Sequence, residues 1–145
     1  MAEAYWSSVF TSSADELWSC IRRFNGLPDW HPAIRSSEVV EGESEFAPGA
    51  VRVLTGTDGS TFRERLVALD DARRALTYEI VDSPLPVSGY RSTLRVRPVA
   101  DTGGAFLTWS ATFDAAGGHT PDEAVTAIAE GAYAPAIAAL HQAVR

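Results

Sequence analysis

Residues 60–80, STFRERLVALDDARRALTYEI, contain the pattern that decides the fold. Apolar and polar side chains alternate on both sides of a short turn-forming segment, and a period of two is typical of strands with one buried face. The short connection predicts an antiparallel hairpin with strands at 61–70 and 74–82. Alternation places Glu64 on the same face as Phe62, so this half-buried strand directs a carboxylate toward its core.

Strand patterns continue on both sides of this hairpin. The connections between them are short and rich in Gly, Asp, Ser and Pro, which favours an antiparallel meander over parallel units joined by helices. The predicted strands span 3–10, 35–41, 50–56, 61–70, 74–82, 90–99 and 104–114.

Helix signals lie after the first strand and at the end of the chain. A serine of TSSADELW can cap a first helix, and residues 27–31 indicate a second, short one. Residues 121–144 form one long helical pattern with Thr120 as its cap, and Pro135 is expected to kink it. The order predicts an α+β fold, in which a curved antiparallel sheet of seven strands packs around a long C-terminal helix and leaves a cavity between them.

Charge and hydropathy exclude several classes of protein. The net charge of −7 argues against a nucleic-acid partner. No apolar run approaches the roughly 20 residues that span a membrane, so no membrane insertion is predicted. The first residues lack the features of a secretory signal, and we expect a cytoplasmic protein. The oligomeric state cannot be read from the sequence.

The residue types also limit the chemistry. All basic side chains other than histidine are arginine, so Schiff-base catalysis through a lysine is excluded. Cys20 is the single cysteine, so no disulfide can form within the chain. The three histidines are far apart and no nucleotide-binding glycine motif occurs, so neither a metal nor a nucleotide cofactor is predicted.

Several segments resemble a known superfamily. WSCIRRFNGLPDWHPAIRSSEVVEG, PGAVRVLTGTDGSTFRERLVALDD and FLTWSATFD are similar to the START-like (SRPBCC) superfamily, nearest its polyketide cyclase/dehydrase branch. The superfamily also includes plant abscisic-acid receptors and birch-pollen-allergen-like proteins. The resemblance covers nearly the whole chain, and it implies one START-like ligand-binding domain over residues 1–145 with a helix-grip fold. Members range from cyclases to lipid carriers, so the fold alone does not decide the function.

The resemblance to the receptors implies positions for a ligand pocket. Arg35 falls where they have the lysine that meets the ligand's carboxylate, and Glu64, Tyr90 and Ser92 fall on their polar pocket residues. TGTDGS and DSPLPV lie at their gate and latch loops. The gate's Ser-Gly-Leu-Pro-Ala and the latch's His-Arg-Leu do not occur here, so a plant-receptor role is not supported.

Alternation and this resemblance together give the candidate site. The candidate catalytic residues are Glu64, Tyr78, Tyr90, Arg35 and His31. The candidate ligand-binding residues are Trp30, Val53, Phe62, Leu85, Pro86, Ser92, Trp109, Ile128 and Ala132.

Each candidate also has a structural alternative. Glu64 can meet a ligand, or it can form an internal ion pair with Arg35 that braces the sheet. Tyr78 and Tyr90 can be core tyrosines with satisfied hydroxyl groups, and His31 can be a solvent-facing helix end. Turn residues 70–71 are interpreted as structural, and His119 and His141 are expected to be exposed.

Two function classes follow from a cavity of this kind. The first is a cyclase or dehydratase acting by general acid/base chemistry on a small, largely apolar substrate, for which a buried carboxylate would be the base and a tyrosine the proton donor. The second is a non-catalytic binder or carrier of a small hydrophobic or lipid-like ligand. Composition does not separate them.

Overall fold

The computed structural model describes residues 1–40 and 43–144. The strands are β1 (Ala2–Phe10), β2 (Ile34–Val39), β3 (Val51–Gly56), β4 (Thr61–Asp70), β5 (Ala75–Asp82), β6 (Val87–Pro98) and β7 (Ala105–Ala115). The helical elements are α1 (Ala14–Ile21), a 3-10 turn (Leu27–Asp29), α2 (Pro121–Ile128), a π-helical segment (Ala129–Tyr133) and α3 (Ala134–Ala143). The last residue of the strand predicted at 35–41 lies outside the described residues.

The seven strands form one antiparallel sheet in the order β1-β7-β6-β5-β4-β3-β2. Strands β2 to β7 are a meander, and β1 closes onto the far side of β7. This confirms the predicted α+β architecture with a C-terminal helix. The short connections explain the topology, because each turn returns the chain directly beside the strand it has just left.

Helix α1 is capped by a serine and fixed to the sheet through one tryptophan and one arginine. The Ser13 side chain accepts a hydrogen bond from the Glu16 backbone N–H at 3.1 Å. The buried Trp18 indole donates to Asp71 Oδ1 at 2.8 Å, and Arg22 Nε donates to the same oxygen at 2.9 Å. Asp71 therefore ties α1 to the β4–β5 turn, in agreement with a structural role for this turn.

The C-terminal helix begins as predicted and changes its winding in the middle. Thr120 and Glu123 form a reciprocal capping box ahead of Pro121. A kink was predicted at Pro135, and just before this residue the chain forms the π-helical segment. There the Ala134 N–H donates to the Ala129 carbonyl, five residues earlier. Proline lacks an N–H and crowds the carbonyl four residues earlier, so a wider turn just before it accommodates the ring.

His141 does not lie exposed, so that prediction was wrong. Its ring is half-buried and stacks on Phe10 with centroids 3.8 Å apart, and its Nε2 lies 2.7 Å from Ser8 Oγ. These contacts dock α3 on β1. His119 is exposed, as predicted.

Candidate ligand-binding cavity

A cavity of about 390 Å³ lies between the sheet and the C-terminal helix. Its walls are mainly apolar and come from the 3-10 turn, strands β2 to β7, the β5–β6 loop and the C-terminal helix. The apolar lining includes Leu27, Ile34, Leu54, Phe62, Ile80, Leu85, Ile128, Ala132 and Ala136. The polar lining includes His31, Arg52, Glu64, Tyr78, Tyr90, Trp109 and Tyr133.

Nine of the fourteen residues named from the sequence line this cavity: Glu64, Tyr78, Tyr90, His31, Phe62, Leu85, Trp109, Ile128 and Ala132. Ser92 lies one layer behind it, buried at 1 % exposure. The described residues that line the cavity do not include Arg35, Trp30, Val53 or Pro86. Of these four, Arg35 is exposed, and the other three are half-buried.

Glu64 forms a buried ion pair with Arg52. Arg52 Nε and Nη2 both donate to Glu64 Oε1, at 3.0 and 2.7 Å. Arg52 Nη1 donates to the Phe24 carbonyl at 2.5 Å, and the guanidinium lies 4.0 Å from the centroid of the Phe24 ring. The two charged residues are 7 % and 6 % exposed. A buried charge needs such a partner, because the protein interior replaces little of its lost hydration.

The prediction that Arg35 pairs with Glu64 was therefore wrong. The prediction that Val53 faces the cavity was also wrong. Arg52 pairs directly with Glu64 across β3 and β4. Directly paired residues of neighbouring strands point to the same face of the sheet, so the inward face of β3 consists of Arg52 and Leu54. Val53 points to the other face, and Arg35 lies exposed on the edge strand β2.

Three tyrosine hydroxyl groups meet beside the ion pair. The Tyr90 hydroxyl lies 3.3 Å from that of Tyr78 and forms a short hydrogen bond with that of Tyr133. Ser92 Oγ lies 3.0 Å from the Tyr133 hydroxyl and accepts from the Trp109 indole N–H at 2.9 Å. Ser92 thereby holds the cluster from behind, which explains its burial outside the cavity lining.

Burial keeps these tyrosines protonated. Loss of hydration raises the pKa of Tyr78 to about 12, with the nearby Glu64 charge adding to the shift. Burial also raises the pKa of Tyr90 and of Tyr133 well above the ordinary tyrosine value, and neighbouring tyrosines add to it. At neutral pH the cluster therefore consists of hydroxyl groups that can donate hydrogen bonds.

His31 brings an uncharged imidazole to the cavity. The Ala33 backbone N–H donates to its Nδ1 at 3.2 Å, which leaves the proton of the neutral ring on Nε2. Burial lowers the pKa of His31, because desolvation disfavours the charged ring. The ring is therefore neutral at pH 7 and can donate from Nε2.

The lowered pKa of His31 predicts a pH-dependent loss of stability. Above its ordinary pKa of 6.5 the ring is neutral in both the folded and the unfolded state. As the pH falls below that value, the unfolded chain binds the proton first, so the free energy of unfolding decreases. Between about pH 7.5 and about pH 5.5, urea titrations should show a larger loss for the wild type than for His31→Gln. His119→Gln is the exposed control, and an equal loss in wild type and His31→Gln would contradict the prediction.

The β3–β4 turn, within the segment TGTDGS that corresponds to the receptors' gate loop, lines the cavity. Gly56, Thr57, Asp58 and Ser60 are part of the lining. The Asp58 carboxylate accepts from the Ser60 hydroxyl and backbone N–H, at 2.6 and 2.9 Å, which closes the turn on itself. In the second predicted loop, DSPLPV, Leu85 reaches the cavity.

Two polar residues of the lining, Arg52 and Tyr133, were missed from the sequence. Counting outward from the β3–β4 turn would have found Arg52, because a turn centred on Asp58 places it opposite Glu64. Tyr133 carries no such signal. It reaches the cavity one π turn after Ile128, where regular helical spacing does not predict it.

In residues 1–40 and 43–144 no group of three or more His, Cys, Asp or Glu side chains is placed to hold a metal ion. Among the helices described, none has both the length and the apolar character needed to cross a membrane.

Comparison with known proteins gives a family model and similar chains. The model described as "Polyketide cyclase / dehydrase and lipid transport" matches residues 1–145. The abscisic acid receptors PYL2 and PYL1 of Arabidopsis thaliana are 29% and 33% identical over 86 and 85 residues, 57% of this chain in each case. Those matches cover 44% and 38% of the receptors, so the chain spans less than half the length of these curated relatives.

A solved structure is similar over almost the entire chain. The protein XoxI from Bacillus cereus is 35% identical, with a TM-score of 0.88, and the match covers 99% of this chain and 96% of that protein. The likeness extends over the sheet and the C-terminal helix, the two elements that enclose the cavity.

Proposed function

Since this chain belongs to the polyketide cyclase/dehydrase and lipid transport family, we propose that it binds one small, largely apolar molecule in the cavity between the sheet and the C-terminal helix. The observation that carries the proposal is a cavity of about 390 Å³ with apolar walls and one cluster of polar groups. Small-molecule sites are typically about 300–1,000 Å³, with few polar groups that orient the ligand. The relatives PYL2 and PYL1 are named as receptors of a small molecule, which also supports it.

The state of the polar groups favours binding over catalysis. Glu64 is the carboxylate best placed to act as a base, but Arg52 holds its Oε1 with two hydrogen bonds. The three tyrosines remain protonated, and the neutral His31 ring carries its proton on the nitrogen not bonded to Ala33. Most polar groups of the lining therefore carry a proton that they can donate in a hydrogen bond, and they are poorly suited to remove a proton from a substrate.

A cyclase or dehydratase is the second candidate, and the tyrosine hydroxyl groups favour it. Tyr78 and Tyr90 could donate to an oxygen that becomes negative when a proton is removed beside a carbonyl. Glu64 would then have to act through the oxygen that Arg52 does not hold. Formation of a cyclised or dehydrated product from a short poly-β-ketone, lost in Glu64→Gln, would support the enzyme. Binding without product would support the carrier.

The binding proposal predicts that filling the cavity abolishes binding. N-phenyl-1-naphthylamine, an uncharged dye that fluoresces in apolar sites, should bind the wild type saturably. Ala132→Phe places a ring in the cavity and should weaken binding by about tenfold or more, because the ring and the dye compete for the same volume. Ala138→Phe, on the exposed side of α3, is the matched control. Equal dye binding by both variants, with unchanged circular dichroism, would refute the proposed site.

A further inference from the structure

We propose that the ligand of this cavity is an uncharged molecule whose polar end is a hydroxyl group, a phenol or an alcohol, and not a carboxylate. This rests on the proposed function above and adds the chemical class of the ligand. Three features carry it: the charge balance of the polar end, one unsatisfied carboxylate oxygen and one protonated tyrosine.

At the polar end of the cavity the charges of the described residues cancel, so no unpaired cation is present there to bind an anion. Arg52 and Glu64 neutralise each other through two hydrogen bonds, and a third bond of the guanidinium goes to the Phe24 carbonyl. Arg35 is exposed and outside the lining. A ligand carboxylate would therefore lose its hydration without gaining an unpaired cation, and it would lie near the negative charge of Glu64.

One oxygen of Glu64 has no hydrogen-bond partner among the described residues. Both bonds from Arg52 end on Oε1, and within residues 1–40 and 43–144 no hydrogen bond to Oε2 is formed. Glu64 is 6 % exposed and belongs to the cavity lining. Oε2 is not one of the fully buried side-chain atoms left without a partner in the described residues, so it keeps some surface that a donor can reach. A carboxylate oxygen only accepts hydrogen bonds, and a ligand hydroxyl group in the cavity can therefore donate to Oε2.

Tyr78 supplies the complementary donor. Tyr78 belongs to the lining, and its hydroxyl lies 3.3 Å from the Tyr90 hydroxyl and interacts with that of Ser92. Residue 78 pairs with Leu66, two positions from Glu64 on the same face of β4, and the Arg52 guanidinium lies 5.4 Å from the Tyr78 ring. A single ligand hydroxyl group can therefore donate to Glu64 and accept from Tyr78. An ether offers only the acceptor, and a carboxylate adds a charge.

Four naphthalenes that differ in one substituent test this at pH 7. 2-Naphthol, 2-methoxynaphthalene, 2-naphthoate and naphthalene compete with N-phenyl-1-naphthylamine for the wild-type protein. We expect 2-naphthol to bind most tightly, about tenfold more tightly than 2-methoxynaphthalene, because the methyl ether cannot donate to Glu64. We expect 2-naphthoate to bind more weakly than unsubstituted naphthalene.

The variant Glu64→Gln should bind a negatively charged ligand more tightly than the wild type does. It leaves the Arg52 cation without its counter-ion, so 2-naphthoate should bind about tenfold more tightly than to the wild type. Glu79→Gln is the matched control. It removes the same charge from the neighbouring strand β5, but Glu79 bonds Arg65 and Arg91 and lies outside the cavity lining. Its affinities for the four naphthalenes should equal those of the wild type.

The outcomes separate the two proposals. If the dye binds and 2-naphthoate or 2-methoxynaphthalene binds the wild type as tightly as 2-naphthol, this inference is overturned and the proposed function stands. If the dye binds and no naphthalene displaces it, the inference is likewise overturned. If the dye itself does not bind, both fail. Should Glu64→Gln not fold, the wild-type series alone decides.

Discussion

Replacing Arg52 with leucine is expected to lower the free energy of unfolding by about 3–5 kcal/mol, because it leaves the Glu64 carboxylate buried without a partner. Arg52 also satisfies the Phe24 carbonyl and stacks on the Phe24 ring, so the substitution disturbs the junction between α1 and the sheet as well. Urea denaturation measures the loss. In a small domain whose total stability is about 5–15 kcal/mol, a change of this size is easily detected.

Two further variants separate the ion pair from general effects of losing an arginine. Arg65→Leu breaks the exposed pair with Glu79 and should cost at most about 1 kcal/mol, since water and salt screen surface charges. Adding Glu64→Leu to Arg52→Leu removes both charges and should recover much of the stability, because a buried pair contributes little beyond its apolar replacement. If the double variant is less stable than Arg52→Leu, the unpaired carboxylate is not the cause.

Replacing Tyr133 with alanine is expected to cost about 3–5 kcal/mol, as for other large aromatic side chains removed from a core. The ring is 2 % exposed and stacks on Trp109 with centroids 4.4 Å apart. Its hydroxyl also joins Tyr90 and Ser92. The change therefore removes the stacking and hydrogen-bond contacts of this residue with β6 and β7. Thermal and urea unfolding should both report it.

Tyr133→Phe isolates the hydroxyl group from the ring. It keeps the stack on Trp109 and leaves Tyr90 with Tyr78 as its remaining hydroxyl partner, so we expect a loss of about 1–2 kcal/mol. If Tyr133→Phe costs as much as Tyr133→Ala, the hydrogen-bond cluster, and not the packing of the ring, holds the helix on the sheet.

The fold was predictable because its signals are local. Alternation, turn residues and a capped terminal helix each depend on a few neighbouring residues, and the strand at 61–70 was placed with its exact bounds. The same alternation placed Glu64 inside and Arg63 and Arg65 outside, as the structure has them.

The site was less predictable, because it depends on pairing between strands. On β3 both faces carry apolar residues, so alternation alone did not show which face is buried. The choice of Val53 for the cavity face implies that Arg52 lies on the opposite face, whereas the strand register places Arg52 opposite Glu64 and inside. The partner of a buried charge is thus a property of the register, which local sequence patterns determine weakly.

The π-helical segment has a consequence for comparing sequences. A π turn holds one more residue than an α turn over the same stretch of helix, so a relative with an uninterrupted helix needs a single-residue gap somewhere in 129–133. Each residue of an α-helix turns by about 100°, so an alignment without that gap would misassign every later position to a neighbouring face. The equivalents of Ala136 and Leu140 would then be compared with the wrong side of the helix. Substitution patterns for the second half of this helix are meaningful only after that gap is placed.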